Sequence, residues 1–398
     1  NIVPDTIIHV CDEIMDGKFS DQFPVHIWQT GSGTHTNMNV NEVISNRCIE
    51  ILHGKKGSKK PVHPNDDVNK SQSSNDSFPT VLYMTIAIMI HNKLLKSVKY
   101  LINGLQKKQN EFQNIIKIGR THLKDATPIS FGQEFSAYVA LIQDCYDQIK
   151  NSLNSLYELS AGGTAVGTGI NTHPNYGKDV AAEISRQTKI PFKSAENKFS
   201  VLSSHNAVQK CSSSLTLLAT NIMKIANDIR WMASGPKTGL NEIILPMNEP
   251  GSSIMPGKIN PTQCEAAVMV ALKVMGNNNT IINANSQGNF QLQLNNPLMA
   301  YNMVQSINLL NDICVNFNKR CILSLKVNKK QIKYNIENAL TIATALNPYI
   351  GYDNASKLAL YAYKNDISLR EANKILKLLD DKLLVKYLDV SKMIGPNI

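Results

Sequence analysis

A heptad repeat between residues 208 and 232 constrains the fold of this chain more than any other feature. Its apolar members are Val208, Cys211, Leu215, Leu218, Ile222, Ile225, Ile229 and Met232, at alternating spacings of three and four. Residues at these spacings share one face of a helix, and a sustained seam is typical of helices packed nearly parallel to one another. The repeat therefore predicts a long helix within a helical bundle.

Two further segments carry the same pattern, and no series of strands is apparent. One seam consists of Met303, Ile307, Leu310, Cys314, Phe317 and Cys321, and another begins with Phe135, Tyr138, Ile142, Cys145 and Ile149. Residues 266–275 are apolar almost all round, apart from Lys273, which predicts a helix buried inside a bundle or an oligomer. The predicted fold class is all-α, with a long-helix bundle at its centre.

The chain divides into three predicted domains. Residues 1–76 are rich in loop signals, and long helical patterns dominate residues 77–328. Beyond them, Asn347-Pro348 and Gly351 separate shorter helices, which predicts a small helical C-terminal domain over residues 329–398. The chain begins with Asn1 and nothing at its start resembles a secretory or transit segment, so we expect a trimmed or partial N-terminal domain.

Composition argues against several classes of function. The net charge is +10, but only six of the 41 basic residues are arginines, and the densest basic cluster, residues 55–60, contains no aromatic residue. Nucleic-acid binding is therefore not expected. No uninterrupted apolar run approaches the length of a membrane span, so no membrane association is expected. Seven cysteines without a Cys-x-x-Cys pair indicate buried, reduced thiols in a reducing compartment.

The sequence also gives no sign of a cofactor. No cysteine–histidine cluster has the spacing of a metal site. The glycine-rich run 162–169 lacks the Gly-Lys-Ser/Thr ending of a phosphate loop, and no strand pattern precedes it. We expect neither a metal nor a nucleotide.

Residues 251–261 form a loop that concentrates groups able to handle anions and protons. Regular helix is prevented by Gly251, Pro256, Gly257 and Pro261. The same loop carries Ser252, Ser253, Lys258 and Asn260. Hydroxyls, successive backbone N–H groups, an ammonium and an amide can together hold a carboxylate.

This loop matches the signature Gly-Ser-Ser-x-Met-Pro-x-Lys-x-Asn of the fumarase/aspartase superfamily. Further motifs in the family's order resemble class II fumarases, the iron-independent fumarate hydratases: Trp28–Thr34, His63–Asp66, Ser71–Asp76, Gly119–Pro128 and Asn260–Glu265. The resemblance extends along nearly the whole chain. It implies a long-helix bundle of the fumarase/aspartase type with smaller N- and C-terminal domains. The implied reaction is the reversible hydration of fumarate to (S)-malate in the tricarboxylic acid cycle.

The chain offers a residue for each chemical task of that reaction. Run from malate, a base takes a proton from C3, the resulting aci-carboxylate is stabilised, and the C2 hydroxyl gains a proton and leaves as water. The resemblance makes Ser252 the base, activated by Lys258 and backbone N–H groups. His122 would activate or protonate the water, and Glu265 would orient its ring.

Neutral donors in other motifs are expected to hold the two carboxylates. The expected substrate contacts are Ser32, Gly33, Thr34, Ser73, Ser74, Asn75, Thr121, Ser253, Lys258 and Asn260. A dicarboxylate needs two such clamps, and neutral donors avoid placing too much positive charge around the base.

A second anion site is a further expectation from the resemblance. His63, Pro64, Asn65 and Asp66 match a site described for bacterial members of the family. The family commonly has arginine three residues before the histidine, whereas this chain has Lys60, which keeps the charge and loses the bidentate fork. An ordinary loop, in which Asn65 or Asp66 caps the next segment, is the alternative.

Two other functions stay open. Aspartate ammonia-lyases share the serine loop, but they typically have glutamine where this chain has His122, and they lack Gln263-Cys264-Glu265. A non-catalytic relative, like the crystallins derived from this superfamily, would not need Ser252 or Lys258. The resemblance also implies a homotetramer with each site built from three subunits. The expected location is the cytoplasm in a bacterium or the mitochondrial matrix in a eukaryote.

Overall fold

The computed structural model describes residues 2–396, and helices dominate it. The α-helices are α1 Ile2–Met15, α2 Thr34–Ile51, α3 Ser74–Met89, α4 Leu95–Glu111, α5 Phe131–Leu156, α6 Tyr176–Thr188, α7 Lys198–Ser203, α8 Asn206–Met232, α9 Thr262–Asn285, α10 Asn296–Arg320, α11 Lys329–Asn338, α12 Asn347–Ile350, α13 Tyr352–Lys364, α14 Leu369–Leu376 and α15 Asp381–Tyr387. Short 3₁₀ turns lie at Ser20–Gln22, Ile322–Ser324, Thr341–Leu346 and Val390–Lys392, and π-helical turns at Pro64–Val68 and Ile90–Leu94. The predicted all-α class is confirmed.

Within residues 2–396, three small two-stranded sheets accompany the helices. The strands are β1 Ile116–Thr121, β2 Lys124–Ser130, β3 Glu158–Leu159, β4 Lys193–Ser194, β5 Ile243–Ile244 and β6 Lys326–Val327. The pairs β1–β2 and β5–β6 are antiparallel, whereas β3–β4 is parallel. Only the first pair forms a hairpin of substantial length, and it carries a predicted site motif.

The three predicted seams are buried along long helices. Every member of the α8 seam is at most 4% exposed. The members of the seam on α10 and of the seam on α5 are at most 2% exposed. The heptad pattern therefore identified the buried faces correctly, because period and burial are directly linked in a helix.

Helix α9 leaves part of its apolar surface uncovered in the single chain. Cys264, Ala267 and Ala271 are buried on one face, whereas Met269 and Leu272 are 64% and 55% exposed. The prediction that residues 266–275 are buried in a bundle or an oligomer is thus met within the chain on one face only.

Packing divides the chain into two compact units, each drawn from three stretches of sequence. Unit 1 contains residues 2–97, 145–220 and 270–312, and unit 2 contains residues 98–144, 221–269 and 313–396. The three domains expected from the sequence follow chain order instead, and they stay a prediction. In unit 2, Ile118 of β1 joins an apolar cluster with the C-terminal helices, including Leu346 and Leu358, so the first hairpin rests on that cluster.

One described helix has the length and apolar content to cross a membrane. It runs from Ser74 to Glu111 through the π-helical turn, and half of its most apolar window is buried within the protein. A single, half-buried helix of this kind is common in protein cores and is weak support for membrane insertion.

Candidate active site

Two helix N-termini meet at the first group of predicted substrate contacts, in unit 1. Helix α2 begins at Thr34 and helix α3 at Ser74, and their side-chain oxygens, Oγ1 and Oγ, lie 2.6 Å apart. Ser32 Oγ lies 2.9 Å from Thr34 Oγ1 and extends this chain of hydroxyls. A helix N-terminus offers unpaired N–H groups and partial positive charge, so this group, which we call the clamp, suits a carboxylate.

Glycines allow the loop before α2 to reach the clamp. Gly33 has a φ of 82°, and a Cβ added there would lie 2.2 Å from the Phe78 ring. At Gly31, an added Cβ would lie 1.5 Å from the carbonyl oxygen of Leu294. Any other residue at either position would displace Ser32, which is buried at 6% exposure.

The buried carboxylate of Asp76 organises the start of α3. Its Oδ1 accepts a 2.9 Å hydrogen bond from Ser73 N, and Ser73 Oγ accepts one from Asn75 N, which forms a capping box. Its Oδ2 accepts from the N–H groups of Gly162 and Thr164, both at 2.9 Å. Burial raises the pKa of Asp76, and the backbone N–H groups offset part of that rise. Asp76 therefore fixes the clamp to the glycine-rich run.

The glycine-rich run 162–169 lies beside the clamp. Asn75 Nδ2 donates a 2.8 Å hydrogen bond to the carbonyl of Ala165. The side-chain hydroxyl of Thr164 is buried and has no partner among the described residues. The sequence motifs singled out neither Thr164 nor Asp76 as a site residue.

His122 lies at the tip of the β1–β2 hairpin in unit 2, which the sequence did not predict. Thr121 is paired with Lys124, so His122 and Leu123 form a two-residue turn. Their φ values of 56° and 59° are those of a type I′ turn, which normally takes Asn-Gly. The left-handed conformation costs a non-glycine residue about 1–2 kcal/mol. The turn therefore presents an exposed imidazole on a strained backbone.

An ion-pair cluster holds this hairpin. The carboxylate of Glu242 is fully buried and accepts a bidentate pair from Arg120, at 3.0 and 2.8 Å. Lys117 Nζ lies 3.1 Å from a Glu242 oxygen and 3.1 Å from a Glu134 oxygen. Burial alone would raise the pKa of Glu242, but the hydrogen bonds and charges of Arg120 and Lys117 hold it below its ordinary value. The cluster is a strong local constraint because its charges are buried and paired.

The serine loop, also in unit 2, folds so that the Ser252 hydroxyl faces backbone donors. Ser252 N donates to the carbonyl of Lys258 at 2.9 Å, which closes the loop. Ser252 Oγ accepts from the N–H groups of Ile254 and Met255 at 3.4 and 3.2 Å. Ser252 is half-buried, whereas Ser253, Lys258 and Asn260 are exposed. The N–H groups point at the oxygen that the proposed base would carry as an alkoxide.

The predicted pairing of His122 with Glu265 does not form within one chain. Glu265 lies exposed in the first turn of α9, where the helix dipole favours a carboxylate. Across residues 2–396, no hydrogen bond or ion pair joins His122 to Glu265, Ser252 or Lys258. The pairing therefore stays a prediction.

The residues of the expected second anion site form the start of a π-helical turn, Pro64–Val68. His63 Nδ1 accepts from the N–H groups of Asn65 and Asp66 at 3.1 and 3.2 Å, so His63 is the cap. Its Nε2 is the ring atom left to bind a ligand. Lys60 is exposed. The second site stays a prediction.

The cysteines and the other possible metal ligands are the last residues that bear on a cofactor. Of the seven cysteines, every one except Cys11 is buried. Within the part of the chain that the structure describes, no group of three or more His, Cys, Asp or Glu side chains is arranged to hold a metal ion.

Comparisons with known proteins decide the family. Residues 2–276 match the family described as Lyase, and residues 342–395 match Fumarase C C-terminus. The mitochondrial fumarate hydratase of Dictyostelium discoideum is 51% identical over 394 residues, which cover 99% of this chain and 81% of that protein. The chain belongs to the class II fumarate hydratase family. The class II fumarate hydratase of Campylobacter jejuni is also 51% identical, over 98% of this chain and 84% of that protein.

The fold agrees with this family. The crystal structure of a class II fumarase from Schistosoma mansoni matches with a TM-score of 0.97 and 42% identity, over 100% of this chain and 86% of that one. The fumarase/aspartase fold and the family expected from the motifs are therefore confirmed. The relatives include both mitochondrial and bacterial members.

Proposed function

We propose that this chain is a fumarate hydratase, which interconverts fumarate and (S)-malate. The observation that carries the proposal is the geometry of the serine loop. Ser252 Oγ accepts hydrogen bonds from the backbone N–H groups of Ile254 and Met255, and Lys258 lies in the same loop. Such donors stabilise an alkoxide and so lower the cost of using serine as a base. The family membership supplies the substrate class, a small dicarboxylate.

The proposed roles account for every proton and electron pair. In hydration, His122 takes a proton from water as the water oxygen bonds to C2 of fumarate. The electron pair of the double bond moves through C3 onto the carboxylate attached to it, which becomes the aci-carboxylate. Ser252 then donates its proton to C3. After malate leaves, His122 releases to solvent the proton that it took from water, and the Ser252 alkoxide takes up one proton from solvent, which restores both residues. Lys258 and Asn260 bind the carboxylate that gains charge.

The clamp is proposed to bind the other carboxylate. At the N-termini of α2 and α3, the Thr34 hydroxyl lies 2.9 Å from that of Ser32 and 2.6 Å from that of Ser74. Gly33, Ser73, Asn75, Thr121 and Ser253 are the remaining proposed contacts. Neutral donors and helix N-termini hold a carboxylate without adding a full charge that would compete with Lys258.

We also propose a homotetramer in which each site takes residues from several subunits. His122 and Glu265 are both exposed and unpaired with each other in the single chain. The face of α9 that includes Met269 and Leu272 is apolar and exposed, and such a face is usually covered by a partner. The proposed compartment is the cytoplasm for a bacterial source and the mitochondrial matrix for a eukaryotic one.

A direct assay tests the proposed function. Fumarate absorbance is followed with purified protein and (S)-malate, without added metal, and with aspartate in a parallel reaction. We expect fumarate from malate and none from aspartate. Fumarate from aspartate alone would identify an ammonia-lyase, and no fumarate from either substrate, with a folded tetramer, would identify a non-catalytic relative.

A further inference from the structure

We infer that Glu242 is a positioning residue for His122, because it anchors the hairpin whose strained tip carries the imidazole. This inference rests on the proposed function, since it concerns the residue proposed to activate water. Glu242 lies 122 residues from Arg120 in the sequence, and it reaches the hairpin only through the fold.

The hairpin needs an external anchor because its tip is short. The pairing of β1 with β2 shifts between Ile118 and Arg120, where Gly119 alone faces two residues of β2. A Cβ added to Gly119 would lie 2.7 Å from the carbonyl oxygen of Thr127, so the strands approach closely at this bulge. Beyond it, only the pairs Arg120–Asp125 and Thr121–Lys124 lead to the turn. Two residue pairs are a weak support for a turn with two left-handed non-glycine residues.

Glu242 holds the hairpin on both sides of the bulge. Arg120, the first residue of the tip, donates two hydrogen bonds to its carboxylate. Lys117, on the base side of the bulge, lies 3.1 Å from the same carboxylate. The buried carboxylate of Glu242 therefore sets the position of the hairpin tip relative to the rest of the hairpin.

Glu242 is itself fixed by its surroundings. Its N–H donates to the carbonyl of Met232 at the end of α8, and its carbonyl accepts from Asn328 N at the start of α11, both at 2.8 Å. Asn335 Nδ2, on α11, donates to Glu242 Oε1 at 3.1 Å. Glu242 is thus held to two helices by its backbone and to α11 also by its carboxylate, and it transmits their position to the hairpin.

Lys117 and Arg120 share the buried carboxylate of Glu242. Lys117 also contacts Glu134 and lies 4.7 Å from the centre of the Phe131 ring. Arg120 also lies 4.0 Å from the exposed carboxylate of Asp125, whereas the side chain of Lys117 is 3% exposed. Replacing Glu242 by a neutral group removes the one fully buried carboxylate that both cations share and turns an amide N–H toward Arg120 or Lys117.

The test compares Glu242→Gln with the matched variant Glu13→Gln. Glu13 is likewise buried, accepts two hydrogen bonds from Arg47 and one from Lys18, and lies in unit 1, away from the hairpin's own cluster. We expect Glu242→Gln to lower kcat for fumarate about 10–100-fold, the usual cost of a lost orienting partner, with KM changed by less than about threefold. Hydrogen exchange of residues 116–130, measured by mass spectrometry, should accelerate in Glu242→Gln and stay unchanged in Glu13→Gln.

The outcomes separate the inference from the proposed function. A folded Glu242→Gln tetramer with wild-type kcat and wild-type hairpin exchange would overturn the inference. An equal loss of kcat in Glu13→Gln would overturn it too, because the effect would then be general destabilisation. If wild type fails to hydrate fumarate, the proposed function fails, whereas the exchange measurement still tests the anchor.

A second, milder variant keeps the inference testable if Glu242→Gln does not fold. Asn335→Ala removes one neutral donor to Glu242 and leaves the ion pairs in place. It should lower kcat several-fold and accelerate exchange in the hairpin. If Glu242→Gln does not fold, a folded Asn335→Ala protein with unchanged kcat and unchanged exchange would overturn the inference.

Discussion

Each of the two compact units contains a buried carboxylate that holds candidate site residues, and the two carboxylates do so by different means. Asp76, in unit 1, accepts hydrogen bonds from the backbone N–H groups of Ser73, Gly162 and Thr164. Glu242, in unit 2, is held by Arg120 and Lys117. The first is a cradle of neutral donors, whereas the second is a charged cluster. Their pKa values move in opposite directions, upward for Asp76 through burial and downward for Glu242 because its cationic partners outweigh burial.

The difference between neutral and cationic partners has different consequences for the residues that each carboxylate holds. A backbone cradle fixes the clamp without introducing a cation that would alter the field around the substrate. The charged cluster holds a strained hairpin through a carboxylate, that of Glu242, which is fully buried. We therefore expect changes around Asp76 to affect substrate binding, and changes around Glu242 to affect proton transfer by His122.

The largest effect is expected where neither carboxylate acts, at the proposed base. Ser252→Ala should lower kcat by roughly 10²–10⁴, the usual contribution of a proton-transfer group, with a much smaller change in substrate affinity. Steady-state kinetics with malate measures both values. Ser253→Ala is the matched control, and it should raise KM more than it lowers kcat. A Ser252→Ala protein with more than half of wild-type turnover would remove Ser252 from the base role.

The next largest effect concerns the histidine that the charged cluster holds. His122→Asn should slow hydration about 10²-fold or more without unfolding the protein, and Glu265→Gln should slow it less, because the ring loses an orienting partner. The double variant tests the link between them. If the two residues act as a unit, its loss should be smaller than the sum of the single losses in activation free energy. Full additivity would count against the pairing.

Asp76→Asn tests the neutral cradle. An amide places an N–H group against one of the three backbone donors, and an unsatisfied buried donor costs about 1–3 kcal/mol. We expect KM for fumarate to rise about tenfold, since about 1.4 kcal/mol corresponds to a factor of ten. The value of kcat should change by less than about threefold, in contrast to Glu242→Gln. A loss confined to kcat would break the distinction between the two carboxylates.

The smallest effect is the pH dependence of stability, and it has opposite signs for the two groups. The pKa of Glu242 lies below its ordinary 4.5, so its contribution is present above that value and is lost as pH falls through the folded pKa. The pKa of Asp76 lies above its ordinary 3.8, so its contribution is present below that value and is lost as pH rises through the folded pKa.

The midpoint of thermal unfolding, measured against pH, distinguishes these contributions. Glu242→Gln should make the loss of stability in acid shallower, and Asp76→Asn should make it steeper. Equal slopes in both variants would contradict the assignment of opposite pKa shifts.

The sequence predicted the helical framework better than the supports of the site. The α8 seam was recognised because the spacing of a heptad repeat identifies the buried face of a helix. Ser252 and His122 were recognised because each lies in a continuous sequence motif. The hairpin was missed because residues 116–130 lack clear alternation and its turn is His122-Leu123 instead of Asn-Gly. Asp76 and Glu242 draw partners from 86 and 122 residues away, and local patterns do not report such contacts.

The most direct test of the whole account is complementation between two inactive variants. In the proposed homotetramer, each site takes residues from several subunits, so that His122 and Ser252 of one site can come from different subunits. Tetramers of Ser252→Ala and His122→Asn subunits, mixed by co-expression and purified through two different tags, should therefore contain some sites with both native residues. We predict that the mixed tetramers recover a measurable fraction of wild-type fumarate hydration, well above either variant alone. Confirmed mixed tetramers with no recovered activity, or an active monomer by light scattering, would contradict the account.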